Sequence, residues 1–169
     1  MKNFPFRIEP LSTDHDRSQF RCGEEALDRH LQTQAKQDIK RRIANCYVAV
    51  DEATGTVAGF YTLSAAGIPL GELPESAAKR LPRYASVPAI RIGRLAVDLR
   101  YQGKGLGTAF LVKAVEQALR GDAAAFAFMV DAKDDQAVSF YQRHGFIQLP
   151  SRLKTLFFPL ASAKQAMGD

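Results

Sequence analysis

A glycine-rich turn constrains this chain more than any other stretch. It runs from Arg100 to Thr108 with the sequence RYQGKGLGT. The apolar run before it, residues 90–98, predicts a strand, and residues 109–119 after it predict an amphipathic helix. The backbone N–H groups of such a turn collect at the positive end of the helix, where proteins bind phosphate groups. The turn therefore predicts a loop that binds the pyrophosphate of a cofactor.

The spacing of the glycines separates the kinds of phosphate-binding loop. A dinucleotide-binding loop, G-x-G-x-x-G, would need glycine where Thr108 stands. The nucleoside-triphosphate loop G-x-x-x-x-G-K-[ST] occurs nowhere in the sequence. What is present is Gln102-x-x-Gly105-x-Gly107, a pattern that an ordinary tight turn between a strand and a helix also satisfies. A second motif is needed to identify the cofactor.

Length and composition favour one domain, residues 1–169. A chain of this length with 46% hydrophobic residues can bury roughly 70% of the surface of its unfolded form. No apolar run approaches the roughly 18 residues of a membrane span, and the start lacks the apolar core of a signal peptide, so we expect a soluble, cytoplasmic protein. Cys22 and Cys46 form no C-x-x-C pair and the histidines lack metal-ligand spacing, which predicts buried thiols and no metal site.

The net charge of +5 favours a polyanionic partner, which could be a nucleic acid or a phosphate-rich cofactor. Much of the charge falls on a helix predicted over residues 24–42, where apolar residues recur every four positions from Leu27 to Ile39. Basic residues occupy its other faces: Arg29, Lys36, Lys40, Arg41 and Arg42. They fit a solvated helix face or a surface that binds a polyanion, and the sequence leaves both open.

The rest of the chain predicts several strands first and then alternating strands and helices. The predicted strands are 6–9, 46–50, 57–63, 125–130, 146–147 and 153–158. Residues 68–88, broken by prolines, predict an irregular substrate-facing segment with a short helix over 75–80. Asp134 predicts the cap of a helix that Gly145 ends, and residues 161–169 predict a loose tail. This order is typical of an α+β or mixed α/β domain with one central sheet.

Residues 134–146 supply the second motif. Their pattern, D-x-x-A-x-x-F-Y-x-x-x-G-F, resembles the N-x-x-A-x-x-F/L-Y-x-x-x-G-F motif of the GNAT N-acetyltransferases, with Asp134 in place of the usual asparagine. The turn at Gln102 resembles the Q/R-x-x-G-x-G/A loop of the same family. The resemblance implies a single GNAT-like α+β (mixed α/β) domain, whose central mixed twisted sheet has a splayed strand pair and is flanked by helices. It also implies acetyl-CoA as the cofactor.

Five further stretches resemble one branch of that family, the tRNA-acetylating toxins of bacterial type II toxin–antitoxin systems. They are Phe20–Leu31, Gly59–Leu63, Arg80–Tyr84, Gly93–Asp98 and Val130–Asp134. The resemblance extends from about residue 20 to residue 158. It implies acetylation of the α-amino group of aminoacyl-tRNA, which stops translation. It also implies a neutralising antitoxin of the ribbon-helix-helix type and a homodimer.

The resemblance and the chemistry of acetyl transfer together assign roles to residues. Tyr141 is the expected general acid, because a phenol with a reference pKa of about 10 keeps its proton at neutral pH and can donate it to a leaving thiolate; an aromatic core residue is the alternative. The residues expected to bind acetyl-CoA are Leu95, Ala96, Val97, Gln102, Gly103, Lys104, Gly105, Leu106, Gly107, Asp134 and Phe140. Those expected to contact RNA phosphates are Lys36, Lys40, Arg41, Arg80, Arg83 and Arg91.

Two other functions stay open at this point. The chain could acetylate a small amine or a protein N-terminus, or it could be a non-catalytic module that binds RNA or senses a cofactor. No carboxylate is an obvious general base. This favours an α-amine acceptor, whose reference pKa of about 7.7–8.0 leaves an appreciable neutral fraction near pH 7, over a lysine at about 10.4.

Overall fold

A computed structural model describes residues 4–166, which contain both strands and helices. The strands are β1 (Phe6–Pro10), β2 (Asn45–Asp51), β3 (Val57–Pro69), β4 (Ser86–Val97), β5 (Ala127–Asp131), β6 (Ile147–Leu149) and β7 (Arg152–Pro159). The α-helices are α1 (Glu25–Arg29), α2 (Ala35–Lys40), α3 (Glu75–Ala78), α4 (Leu106–Arg120), α5 (Asp135–Arg143) and α6 (Leu160–Ala166). None of the helices in this part of the chain is both long enough and apolar enough to cross a membrane.

The strands form one mixed sheet in the order β1-β2-β3-β4-β5-β7-β6. Neighbours are antiparallel in the pairs β1–β2, β2–β3, β5–β7 and β6–β7. β4 and β5 run parallel, with pairs from Ala89↔Ala127 to Ile92↔Val130. The helices and this seven-stranded mixed sheet confirm the predicted α+β class with one central sheet.

The chain divides into two compact units, residues 1–64 with 93–113 and residues 65–92 with 114–169. In the first, the buried Leu31 and Ala35 of the helical region pack with Val48 and Phe60 of the strands. In the second, Met129 and other residues of β5 and β7 form the core with Ile68 and Leu73. Cys22 and Cys46 are buried thiols that form no disulfide, as predicted, and both belong to the first core. Burial raises the pKa of Cys46 to about 12.

The helix predicted over residues 24–42 exists, but it is not one uninterrupted α-helix. A π-helical turn, His30–Gln34, separates α1 from α2. Two side chains bond backbone carbonyls here: Thr33 Oγ1 donates to Arg29 O, at the end of α1, at 2.8 Å, and Arg17 donates to Leu31 O, within the turn, at 3.0 Å. The Arg17 side chain thus satisfies a carbonyl of the π turn, whereas the Thr33 bond is the i−4 back-bond that threonine also makes in regular helices.

Two predicted segments differ from the structure. The irregular segment predicted over 68–88 is shorter, because β3 continues to Pro69 and β4 begins at Ser86. The tail predicted to be loose over 161–169 is wrong for residues 161–166, which belong to α6, and residues 167–169 lie outside the described residues. Leu160 and Ala163 of α6 are buried, and the Leu160 N–H donates to Phe126 O at 2.9 Å. Burial of these apolar side chains thus stabilises a helix for which the sequence showed no strong helical pattern.

Candidate functional site

The glycine-rich loop is an open turn that leads into the 15-residue helix α4. Gly103 and Gly105 have φ angles of 80° and 81°, a region that residues with a Cβ atom rarely adopt. A Cβ atom at either position would meet no atom within 4 Å, so the glycines are needed for backbone conformation and not for space. Ala109 N–H donates to Gly105 O at 3.1 Å, which starts α4 and leaves its first-turn N–H groups at the loop. This geometry suits an anionic ligand, and exposed Lys104 adds positive charge.

The side chain of Gln102 is hydrogen-bonded to the protein backbone. Its Nε2 donates to Val97 O at 2.9 Å and to Cys22 O at 3.1 Å. Both bonds tie the start of the loop to residues before it. The loop glycines present backbone N–H groups to a ligand, whereas the Gln102 amide donates its hydrogen bonds to the protein itself.

Asp98 anchors the end of β4, although no sequence motif assigned it a role. The residue is 1% exposed. Its carboxylate accepts from the N–H groups of Arg21 and Arg100 and from the Arg100 guanidinium, at 2.9–3.0 Å. Burial by itself raises the pKa of Asp98, but these hydrogen bonds outweigh it and the pKa lies below its usual value. An aspartate directly after an apolar strand and before a glycine-rich turn was the available sequence signal.

The last residues of β4 lie next to the loop in the same unit. Leu95 and Val97 are half-buried, and Ala96 is buried in the core. The pairing of β4 with β5 ends at Ile92, so the ladder between these strands does not engage the backbone of Gly93 to Val97. On the other edge of β4, the Arg94 N–H donates to Thr62 Oγ1 at 3.1 Å. The N–H groups of this segment that face the β5 side are therefore the ones that could polarise a carbonyl oxygen.

A close approach between β3 and β4 fixes the backbone beside these residues. A Cβ atom on Gly59 would lie 2.8 Å from Ala96 O and 2.9 Å from the Phe110 ring. Only glycine fits there. Within the first unit, the structure therefore brings the loop and Leu95–Val97 together on a closely packed support.

Tyr141 lies on α5 in the second unit, where Asp134 and Phe140 also lie. Asp134 caps the helix as predicted, accepting from the Ala137 N–H at 2.8 Å, and Gly145 with φ 90° follows its end. Tyr141 is buried against the rings of Phe140 and Phe146, at centroid distances of 5.2 and 5.6 Å. Burial, with a smaller effect of the Asp131 charge, raises its pKa to about 12. The phenol is therefore protonated at neutral pH.

The basic residues expected to contact RNA fall into three settings. Lys36, Lys40 and Arg41 are exposed at α2 in the first unit. Arg80 and Arg83 are exposed in the segment between α3 and β4 in the second. Arg91 is half-buried and pairs with Asp131 at 3.5 Å, which reduces its availability to a phosphate.

A cavity of about 570 Å³ opens beside α1 in the first unit. It is lined by Arg21, Gly23, Glu25, Asp28, Arg29, Gln32 and Leu99. Six of these residues lie between positions 21 and 32, and only Leu99 comes from a distant part of the chain, so no sequence motif marks the cavity. Within residues 4–166, no group of three or more His, Cys, Asp and Glu residues is arranged to bind a metal ion.

Comparison with known proteins gives consistent matches. The family model for the acetyltransferase (GNAT) domain matches residues 75–155. The probable toxin TacT of Sinorhizobium fredii is 31% identical over 95% of this chain and 94% of its own. The tRNA-acetylating toxin of Mycobacterium tuberculosis is 30% identical over 94% of this chain and 95% of its own.

Solved structures are similar over nearly the whole chain. AtaT complexed with acetyl-methionyl-tRNAfMet has a TM-score of 0.86 at 30% identity, covering 96% of this chain and 99% of that one. A tyrosine-to-phenylalanine mutant of the AtaT toxin, bound to the C-terminus of the antitoxin AtaR and acetyl-CoA, has a TM-score of 0.79 at 26% identity, covering 98% and 99%.

Proposed function

Because the chain belongs to the GNAT acetyltransferase family, we propose that it transfers the acetyl group of acetyl-CoA to the α-amino group of aminoacyl-tRNA and so inhibits translation. The observation that carries this proposal is the whole-length similarity to AtaT complexed with acetyl-methionyl-tRNAfMet. The similarity to the tRNA-acetylating toxin of M. tuberculosis supports the same acceptor. Membership also confirms the resemblance identified from the two sequence motifs.

The loop fits the phosphate portion of acetyl-CoA. Its positive-φ glycines and the N-terminus of α4 present backbone N–H groups, and the space around both glycines is open. We assign the pyrophosphate to the backbone of residues 102–107 and the pantetheine arm to the backbone of Leu95–Val97. Phe140 on α5 and Asp134 at its N-cap complete the proposed set; the Asp134 side chain contributes by capping the helix. When bound, acetyl-CoA supplies an acetyl group activated as a thioester.

Tyr141 is the proposed general acid. It keeps its proton across the physiological range, because burial holds its pKa near 12. Its hydroxyl group can therefore donate a hydrogen bond to a developing thiolate. The acceptor amine needs little help from the protein, since an α-amino group with a reference pKa of about 7.7–8.0 is partly neutral near pH 7.

The basic surface and the binding partners form the last part of the proposal. Exposed Lys36, Lys40 and Arg41, together with Arg80 and Arg83, would contact tRNA phosphates without selecting a sequence. A neutralising antitoxin is supported by the AtaT–AtaR structure, and we propose that it is of the ribbon-helix-helix type. We also propose a single domain over residues 1–169, a homodimer, and action in the cytoplasm, where charged tRNA is used.

The test is an acetylation assay with labelled acetyl-CoA and three acceptors: charged tRNA, uncharged tRNA and polyamines. We expect label on charged tRNA alone, and a loss of at least 100-fold in kcat for Tyr141→Phe, which removes only the hydroxyl group. Tyr47→Phe, which changes a tyrosine outside the proposed site, is the matched control. Label on polyamines alone would instead support a small-amine acetyltransferase, and acetyl-CoA binding without transfer would support a non-catalytic module. A fully active Tyr141→Phe enzyme would exclude Tyr141 as the acid.

A further inference from the structure

The short stretch Arg21–Cys22 is held entirely by groups from outside it. The Arg21 N–H donates to Asp98 Oδ2 at 3.0 Å, and Arg21 O accepts from the Leu99 N–H at 2.8 Å. The Cys22 N–H donates to Asp28 Oδ1 at 2.8 Å, and Cys22 O accepts from Gln102 Nε2 at 3.1 Å. Every backbone polar group of the two residues thus has a partner. One of the four bonds comes from the phosphate loop itself.

The side-chain amide of Gln102 has no donor left for a ligand. Its nitrogen carries two hydrogens, and the two bonds to Cys22 O and Val97 O use both. The opposite orientation of the amide would place its oxygen against two carbonyl oxygens, which cannot donate. Only the Oε1 acceptor is available, and an acceptor does not bind a pyrophosphate.

We propose that the side chain of Gln102 is a positioning group, and not a ligand of the cofactor: its amide bonds Arg21–Cys22 to the phosphate loop and so fixes the loop and the wall of the neighbouring cavity together. Arg21 and Gly23, on either side of Cys22, line that cavity with Leu99. Asp98 supplies the second tie, because its buried carboxylate bonds Arg21 and also caps the turn before the loop. The proposal rests on the proposed function only where it names acetyl-CoA as the loop's ligand.

The first test measures amide hydrogen exchange in the cofactor-free protein. Gln102→Met keeps the length of the side chain and removes both donors. We expect the amides of residues 21–23 and 99 to exchange about three- to tenfold faster, as the loss of one net hydrogen bond predicts. Gln37→Met, on the exposed face of α2, is the matched control and should leave these amides unchanged. Wild-type exchange in Gln102→Met, or acceleration spread evenly over β1 to β3, would overturn the proposal.

The second test is rescue by Gln102→Arg, which restores N–H donors on a longer side chain. A positioning role predicts protection of residues 21–23 within about twofold of wild type and acetyl-CoA affinity within about threefold. A ligand role predicts at least tenfold tighter acetyl-CoA binding, because the guanidinium would pair with the pyrophosphate. Since exchange is measured without cofactor or tRNA, failure of tRNA acetylation would remove the proposed function and leave the positioning result intact.

Discussion

Substitution of Gly105 by alanine isolates the conformational requirement of the phosphate loop. Gly105 has φ 81°, and a Cβ atom there would meet nothing within 4 Å. The cost is therefore backbone strain alone, about 1–2 kcal/mol for a residue with a Cβ atom in the left-handed region. We expect the free energy of unfolding to fall by about that amount if the loop keeps its shape.

The same strain should appear in cofactor affinity if the loop relaxes. A relaxed loop must be returned to φ near 81° before its N–H groups can bind the pyrophosphate, so the 1–2 kcal/mol would be lost from binding instead. Because about 1.4 kcal/mol is tenfold, acetyl-CoA affinity should fall roughly five- to thirtyfold. Calorimetric titration of the variant measures its loss of acetyl-CoA affinity, and denaturant unfolding measures its loss of stability. Gly105→Asn should lose less than Gly105→Ala, because asparagine tolerates the left-handed region.

Gly71→Ala is the matched control, since a Cβ atom there also meets open space and the backbone has no positive φ. It should be neutral or stabilise the protein by about 0.4–1 kcal/mol. The reasoning is refuted if Gly105→Ala matches Gly71→Ala in both stability and affinity, or if asparagine costs more than alanine.

Two further predictions concern the basic helix and the buried carboxylate. Lys36→Glu with Lys40→Glu should weaken acetylation of charged tRNA about tenfold or more at physiological salt and leave acetyl-CoA affinity unchanged; full activity would remove α2 from the RNA path. Asp98→Asn should lower the free energy of unfolding by about 1.5–3 kcal/mol at pH 7, because it loses charge-assisted hydrogen bonds. The folded-state pKa of Asp98 is depressed, so its stabilisation is present above about pH 4 and is lost as pH falls through the folded pKa. The difference between wild type and variant in denaturant titrations should therefore shrink in acid, and a constant difference down to pH 2 would contradict this.

Features that depend on local sequence could be predicted, and those that depend on distant partners could not. The strand–turn–helix around the loop, the Asp134 cap and the stop at Gly145 follow from nearby residues, and the structure has all three. The π turn was missed because one of its carbonyl partners, Arg17, lies 14 residues from the carbonyl it bonds. The bond from Gln102 to Cys22, 80 residues earlier, could not be predicted, because it has no sequence signal.

The environment of Tyr141 determines what kind of acid it can be. Full proton transfer from a phenol with a pKa near 12 to a thiolate whose conjugate acid has a reference pKa of about 8.5 is uphill by roughly 3.5 units, or about 5 kcal/mol. That cost falls if the same dry surroundings also raise the pKa of the thiol, because burial disfavours both anions. A hydroxyl group that stays protonated and donates a strong hydrogen bond to the thiolate avoids most of the free-energy cost of proton transfer. The burial of Tyr141 therefore favours stabilisation of the leaving group by a hydrogen bond, with the proton arriving afterwards, over complete transfer in the step that breaks the thioester.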